Sequence, residues 1–145
     1  MGKMAKAAPL VLGVLLGSAA SAMAADFCVA IQGGTFTLAA KAFTLPARGT
    51  CRDYRGIYTP VPGQHEPSWV SGTACASSDN LGITFFDTVY AEDGGSIVTD
   101  KFFLSRSTLA GAGTSCFLSP SGMSCAPSLN YARVACSPRT VPIPE

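Results

Sequence analysis

Apolar and polar residues alternate along the chain after residue 24, without the three-to-four-residue apolar spacing of an amphipathic helix. Phe27, Val29 and Ile31 share one face of a first strand, which Gly33-Gly34 ends. Segment 81–90 is the richest in aromatic and β-branched residues, as strands are. The alternation predicts about eight short strands, at 27–31, 35–42, 50–58, 69–76, 81–90, 96–106, 114–118 and 129–136.

Turn-forming residues separate these segments. Three prolines and a glycine make 59–67 a loop, Asp93-Gly94 is typical of a tight hairpin turn, and 119–128 is predicted as another loop. Short turns between successive strands favour an all-β fold, a small antiparallel up-and-down barrel, because closure hides the edges of the first and last strands. A Greek-key β-sandwich is the alternative.

The first 24 residues have the three parts of a signal peptide. Lys3 and Lys6 form a basic region, Leu10–Leu16 is an apolar run, and Ala22-Met23-Ala24 is an A-x-A cleavage motif. The apolar run is shorter than the roughly 20 residues that a transmembrane helix needs. We therefore predict cleavage after Ala24 and export to the periplasm or the medium.

Composition places the remaining chain among small, nearly uncharged domains. The full sequence has 10 Lys and Arg against 9 Asp and Glu, and loss of Lys3 and Lys6 lowers the formal charge from +1 to −1. Since no basic patch stands out, nucleic acid is a poor partner, and we expect no membrane insertion. We expect a single β domain at 25–136 and a flexible, proline-rich tail at 137–145.

All 6 cysteines follow the signal peptide, and an even count in an exported chain predicts disulfides. The chain has no C-x-x-C pair and a single histidine, which argues against a structural metal site. The sequence alone leaves the connectivity open. The predicted strand order favours the pairs Cys28–Cys136, Cys51–Cys75 and Cys116–Cys125.

No set of residues suited to catalysis is recognisable. His65 lies in the proline-rich loop beside Glu66, without a positioned nucleophile or an orienting partner. The acids of Ala91–Ser96 lack the ligand ladder of a calcium-binding loop. We therefore assign no catalytic, cofactor-binding or metal-binding residue and expect no cofactor and no enzymatic activity.

Three residues are candidate ligand or partner contacts. Arg52 and Tyr54 share one strand face, where they could hold an anionic group, although a solvated strand face with local charge pairing is the alternative. Trp69 is the third, as one of the aromatic residues that could line a ligand cavity or simply form the core.

Asp87 lies within the clearest strand, and its environment depends on which strand face is buried. If Ile83 and Phe85 face inward, Asp87 does too, and it then needs a partner such as Lys101 or Arg106 or has a raised pKa. The opposite arrangement buries no charge, so we expect Asp87 to be solvated.

These observations favour a non-catalytic exported domain that binds an unknown protein or surface component or has a structural role. The alternative is a carrier of a small apolar ligand, because an eight-stranded barrel can be filled by side chains or hold one small molecule. A small secreted hydrolase is the least favoured class. The sequence leaves the ligand and the oligomeric state open.

Overall fold

The computed structural model describes residues 25–60, 67–90, 97–138 and 141–145. These residues form an antiparallel sheet in which each strand pairs with the next, and the last strand pairs with the first to close a barrel. The predicted up-and-down barrel is confirmed, and the Greek-key sandwich is wrong. The strands are β1 Phe27–Ile31, β2 Phe36–Ala40, β3 Cys51–Pro60, β4 Ser68–Ala76, β5 Gly82–Tyr90, β6 Ile97–Ser105, β7 Ala110–Ser119 and β8 Gly122–Val134.

Three of the sequence predictions lie outside the described residues. They are the signal peptide at 1–24, the environment of His65 and the hairpin turn at 91–96.

Alternation along the strands divides the side chains between the barrel interior and the outer face. In β5, Phe85 is fully buried and Val89 is 4% exposed, whereas Phe86 and Tyr90 on the opposite face are 45% and 50% exposed. Residues that are paired across neighbouring strands lie on the same face of the sheet, so this division into inward and outward positions continues from strand to strand.

Stacked aromatic rings fill the barrel at the end where β1 begins. The Phe85 ring lies 4.7 Å from that of Phe102, which lies 4.2 Å from that of Tyr131. Phe43, in the segment that joins β2 to β3, is buried against Phe27 and Phe85 at this end. We call it the Phe43 end, and the opposite one, where β3 ends beyond Tyr58, the Tyr58 end.

The last two strands are longer than predicted, because segment 119–128 is mostly strand rather than loop. β7 turns into β8 through Pro120 and Ser121, and the strand continues past Pro127. Ser128 has a φ of 61°, and the β7–β8 register shifts between Gly113 and Ser115, opposite this point. A bulge accommodates both a proline and a left-handed residue, which in sequence resemble a loop.

Three disulfides join the predicted cysteine pairs. Two of them link residues directly opposite each other, Cys51 with Cys75 and Cys116 with Cys125. The Cys28–Cys136 bridge joins β1 to the second residue after the end of β8, and the two Cα atoms are 5.3 Å apart. Three disulfides indicate an oxidising, exported location.

A second, smaller apolar cluster lies on the outside of the barrel. Ile143, 5% exposed, packs with Cys28, Ala39 and Ile57, beside the half-buried Trp69. The Lys41 ammonium donates to the Ile143 carbonyl and forms an ion pair with Glu145. The flexibility of 137–145 in solution stays a prediction, and these contacts oppose it at the end of that segment.

Candidate functional site

Two buried carboxyl groups face each other inside the barrel. Asp87 of β5 and Asp100 of β6 are paired across the ladder, and they are 7% and 4% exposed. The expectation that Asp87 is solvated is therefore wrong. Ile83, Phe85 and Val89 share its strand face, and burial of each stabilises the fold by roughly 1.5–3 kcal/mol, which outweighs the burial of one carboxyl group.

The carboxyl pair belongs to a row of residues that crosses five strands. Each member lies opposite the next, and the row runs through Tyr54 of β3, Gly72 of β4, Asp87, Asp100 and Ser115 of β7. We call these five residues the carboxyl row.

Tyr54 crosses β4 to reach Asp87. Its hydroxyl donates a hydrogen bond of 2.6 Å to Asp87 Oδ2. A Cβ atom at Gly72 would lie 2.6 Å from Asp87 Cβ and 2.6 Å from Tyr54 Cζ, so no larger residue fits between the two. The hydrogen bond between Tyr54 and Asp87 therefore requires glycine at position 72.

Three buried polar atoms around the pair make no hydrogen bond of good geometry with the described residues: Asp87 Oδ1, Asp100 Oδ1 and the Tyr131 hydroxyl. Asp100 nevertheless lies close enough to Asp87 and Tyr131 for weak hydrogen bonding with them to affect its pKa. Tyr131 is only 1% exposed, and its hydroxyl lies near enough to Asp100 and Asp87 for their charges to raise its pKa. Buried polar atoms are almost always paired, so this group of three is unusual.

Burial controls the protonation of the pair. It raises the pKa of Asp87 to about 8, with a smaller rise from the charge of Asp100, while the hydrogen bond from Tyr54 opposes the rise. Burial also raises the pKa of Asp100, although hydrogen bonding with Ser115, Asp87 and Tyr131 opposes this rise. Two neighbouring carboxyl groups in a site of low polarity do not both ionise readily, so the pair holds a proton near neutral pH.

The surrounding tyrosines stay neutral. Burial raises the pKa of the Tyr54, Tyr58 and Tyr131 hydroxyls above the ordinary value of 10.0, and the charges of the two aspartates raise it further. These hydroxyls can therefore donate a hydrogen bond to a carboxylate or accept one from a ligand.

The basic residues that could have paired with an inward Asp87 are used elsewhere. The Lys101 ammonium lies on the outer face, 5.5 Å from the centroid of the Phe86 ring. Arg106 donates from Nη2 to the Pro46 carbonyl at 2.6 Å. Of the two consequences expected for an inward Asp87, a basic partner or a raised pKa, the site therefore shows the raised pKa.

Aromatic side chains lie between the carboxyl row and the Tyr58 end. Phe36 and Tyr58 are stacked with ring centroids 5.2 Å apart, and both are half-buried. Phe117, on the interior side of β7 opposite Val98, is 45% exposed. Solvent therefore reaches the aromatic side chains at this end, in contrast to the packed Phe43 end.

The three predicted contact residues are not brought together. Tyr54 belongs to the carboxyl row, whereas Arg52 is exposed and its guanidinium donates to the Thr44 hydroxyl. Trp69 lies in the outer cluster with Ile143. The role of Arg52 and Trp69 as ligand or partner contacts stays a prediction.

Sequence reasoning missed Asp100, although a signal for it was present, and it grouped Tyr131 only with the aromatic residues that could line a cavity or form the core. Asp87 and Asp100 are equally far from the predicted Asp93-Gly94 turn, so a two-residue hairpin places them opposite each other. Tyr131 carries no comparable signal, because its place depends on the bulge in β8.

The described ranges contain neither a cluster of metal-ligating side chains nor a membrane-spanning helix. No group of three or more His, Cys, Asp or Glu in these ranges could hold a metal ion. No helix within the described residues is long and apolar enough to cross a membrane. Comparison of the chain with protein-family models, curated proteins and solved structures finds no match.

Proposed function

We propose that this chain is an exported, non-catalytic binding domain that takes a small ligand between the carboxyl pair and the aromatic side chains at the Tyr58 end. The observation that carries the proposal is the group of three buried polar atoms without partners, Asp87 Oδ1, Asp100 Oδ1 and the Tyr131 hydroxyl.

The energetic argument compares a paired with an unpaired polar group. Each buried polar atom without a partner destabilises a fold by roughly 1–3 kcal/mol. A purely structural barrel could replace Asp87 and Asp100 by apolar residues and be more stable. A ligand that donates hydrogen bonds offsets this destabilisation, which is a reason for the pair to be present.

Packing favours a polar ligand over the apolar one that a simple carrier would hold. The interior near Phe43 is filled by the stacked rings of Phe85, Phe102 and Tyr131. The two carboxyl groups lie one inward position beyond the stacked pair Phe85 and Phe102, on the side of the exposed aromatic residues. A ligand there meets both an aromatic wall and hydrogen-bond acceptors.

The absence of catalysis is part of the proposal. The side chains of the carboxyl row offer two carboxyl groups and neutral hydroxyls. A nucleophile with an adjacent base and an orienting group is not among them, and acyl transfer requires such a set.

Native mass spectrometry of protein isolated from the exported fraction tests the proposal. We expect a small-molecule adduct on the folded protein that denaturation releases, and its loss in the Asp87→Asn variant. Asp53→Asn is the matched control, because Asp53 is exposed on β3 and bonds only with Thr73 at 2.6 Å among described contacts. Wild-type protein without any adduct would contradict small-ligand binding.

Export through a cleaved signal peptide is the proposal for localisation. It is supported by the A-x-A motif that ends at Ala24 and by three disulfides. N-terminal sequencing of the exported protein is expected to begin at Ala25. A sequence beginning at Cys28 with the mass of a lipid would instead indicate a membrane-anchored protein.

A second candidate function is self-association through the outer face, favoured by an uncovered apolar row. Tyr90, Ile97, Leu118 and Met123 lie opposite one another on β5 to β8 and are 37–71% exposed. Two further residues on this face also have exposed rings, Phe86 and Phe103. Together the six side chains present on the order of 600 Å² of apolar surface. Specific interfaces bury roughly 600–1,000 Å² from each partner, so this surface lies at the lower end of that range.

The occupant that we propose for this face is a second copy of the chain, because Lys101 is the only charged residue among the described outward positions of β5 to β7. Sedimentation velocity is expected to show a dimer that Leu118→Lys dissociates. Leu81→Lys, at another exposed apolar site, is the control. A wild-type monomer at about 100 µM would rule this interface out.

A further inference from the structure

We infer that the ligand of the carboxyl pair is an organic primary ammonium ion, held by Asp87, Asp100 and the Tyr131 hydroxyl. The inference rests on the proposed function and names the chemical class of its ligand. Its basis is the match between what the site lacks and what an ammonium group supplies.

The first match is in hydrogen bonding. A primary ammonium group has three N–H donors and no acceptor. The site has three buried acceptor atoms without partners, Asp87 Oδ1, Asp100 Oδ1 and the Tyr131 oxygen. The Tyr131 side chain is 1% exposed and reaches the pair from β8, a strand that carries neither aspartate. One ammonium group could therefore satisfy all three atoms.

The second match is in charge. The groups that act on the two carboxyls are each other, tyrosines and a serine, and no cation is among them. Lys101 and Arg106 are both engaged elsewhere. A ligand cation therefore provides the positive charge that a buried carboxylate pair requires.

The third match is in the aromatic surroundings. Tyr58 is stacked on Phe36 and Tyr131 on Phe102, and both tyrosines lie near enough to the pair for its charges to raise their pKa. Aromatic faces attract organic cations, most strongly where water is excluded. The same rings provide an apolar wall for the organic part of the ligand.

A hard metal ion fits this site less well. Calcium takes six to eight oxygen ligands, and magnesium needs six in near-ideal octahedral geometry. Two carboxyl groups and a few neutral hydroxyls are a poor set for either ion, and the described residues hold no third acidic, histidine or cysteine side chain nearby. The site therefore favours an ammonium ion over a bare divalent cation.

Proton release distinguishes ammonium binding from binding of a neutral molecule. The groups that face Asp87 are Tyr54 and Tyr58 from β3, Asp100 from β6 and Tyr131 from β8, and β4 contributes only Gly72. Since the tyrosines stay neutral, the proton that the carboxyl pair holds near neutral pH is the one that a cation displaces. Ammonium affinity is therefore expected to rise about fivefold or more from pH 6 to pH 8.

Titration calorimetry of the full exported protein with matched probes tests the inference. The probes are methylammonium, butylammonium and 2-phenylethylammonium, each paired with the alcohol of the same skeleton. At pH 8 we expect at least one ammonium probe to bind about tenfold or more tightly than its alcohol. Asp87→Asn and Asp100→Asn are expected to abolish this preference, and Asp53→Asn to leave it within about twofold. Thermal melts establish that each variant is folded.

The outcomes separate the ligand class from the proposed function. Alcohols that bind as well as ammonium probes, or a neutral molecule as the native adduct, would overturn the ammonium class and leave small-ligand binding intact. Calcium that binds alone and excludes the ammonium probes would also overturn it. No binding of any probe at about 10 mM, with no native adduct, would overturn both.

Discussion

Gly72 determines whether the carboxyl pair can have its observed environment. It is the only residue of the carboxyl row without a side chain, and the Tyr54 ring passes over it to reach Asp87. Asp87, in turn, is held inside by the apolar residues on its strand face. At this scale the site depends on one small residue and one large neighbour.

Replacing Gly72 by alanine is expected to lower the free energy of unfolding by about 1–3 kcal/mol, because the new methyl group would overlap Asp87 and Tyr54. Ser71→Ala, at the exposed neighbouring position, is the control. Urea denaturation measures both. Equal stability of the two variants would mean that Tyr54 does not cross β4 as described.

Replacing Asp87 by asparagine is expected to change how stability depends on pH. The folded protein holds the Asp87 proton up to about pH 8, whereas the unfolded chain loses it near the ordinary pKa of 3.8. The wild type is therefore most stable below about pH 4 with respect to this group, and it loses that stability as the pH rises to about 8. Asparagine does not ionise, so the variant should gain on the order of 1–3 kcal/mol over the wild type between pH 5 and pH 8. If the stabilities of the wild type and of the Asp87→Asn variant changed equally with pH, this would contradict a buried Asp87.

Hairpins are the elements that sequence alone could predict best. Alternation predicts β5 and β6 to within a residue or two of their ends, and the two-residue turn predicted at Asp93-Gly94 implies the register that is observed, with Asp87 opposite Asp100. Alternation could not decide which face is inside, because the other face of β5 carries Phe86 and Tyr90, which are also apolar. The start of β8 was missed because a bulge at Pro127 has the composition of a loop.

The three bridges stabilise elements that are very different distances apart in sequence. Cys28–Cys136 spans 108 residues and links β1 to the end of β8, whereas Cys116–Cys125 spans 9 within one hairpin. Chain entropy makes these bridges worth about 5 and 2.5 kcal/mol as upper values. Serine replacement of the first pair should therefore destabilise the fold by about 1–2 kcal/mol more than replacement of the second in denaturant melts. The reverse order would mean that the β1–β8 seam does not depend on its bridge.

The whole barrel divides into a half that is packed for stability and a half that contains unpaired polar groups. Phe43 and the aromatic stack fill one end, and the outer cluster with Ile143 covers part of the surface. The carboxyl row crosses the interior towards the other end, where Tyr58 and Phe117 are in contact with solvent. Substitution of Phe43 is therefore expected to affect stability alone, whereas substitution of the carboxyl pair is expected to affect both stability and binding.

Carbon-13 NMR of the aspartate carboxyl groups, followed through a pH titration, tests most directly whether the barrel contains this buried pair. We expect the pair to titrate with raised apparent pKa values, that of Asp87 near 8, and the resonance assigned to Asp87 to shift to lower pKa in Asp100→Asn. Loss of the neighbouring charge is the reason for that shift. Titration of all aspartates below about pH 5 would contradict the buried carboxyl pair and the binding function proposed for it.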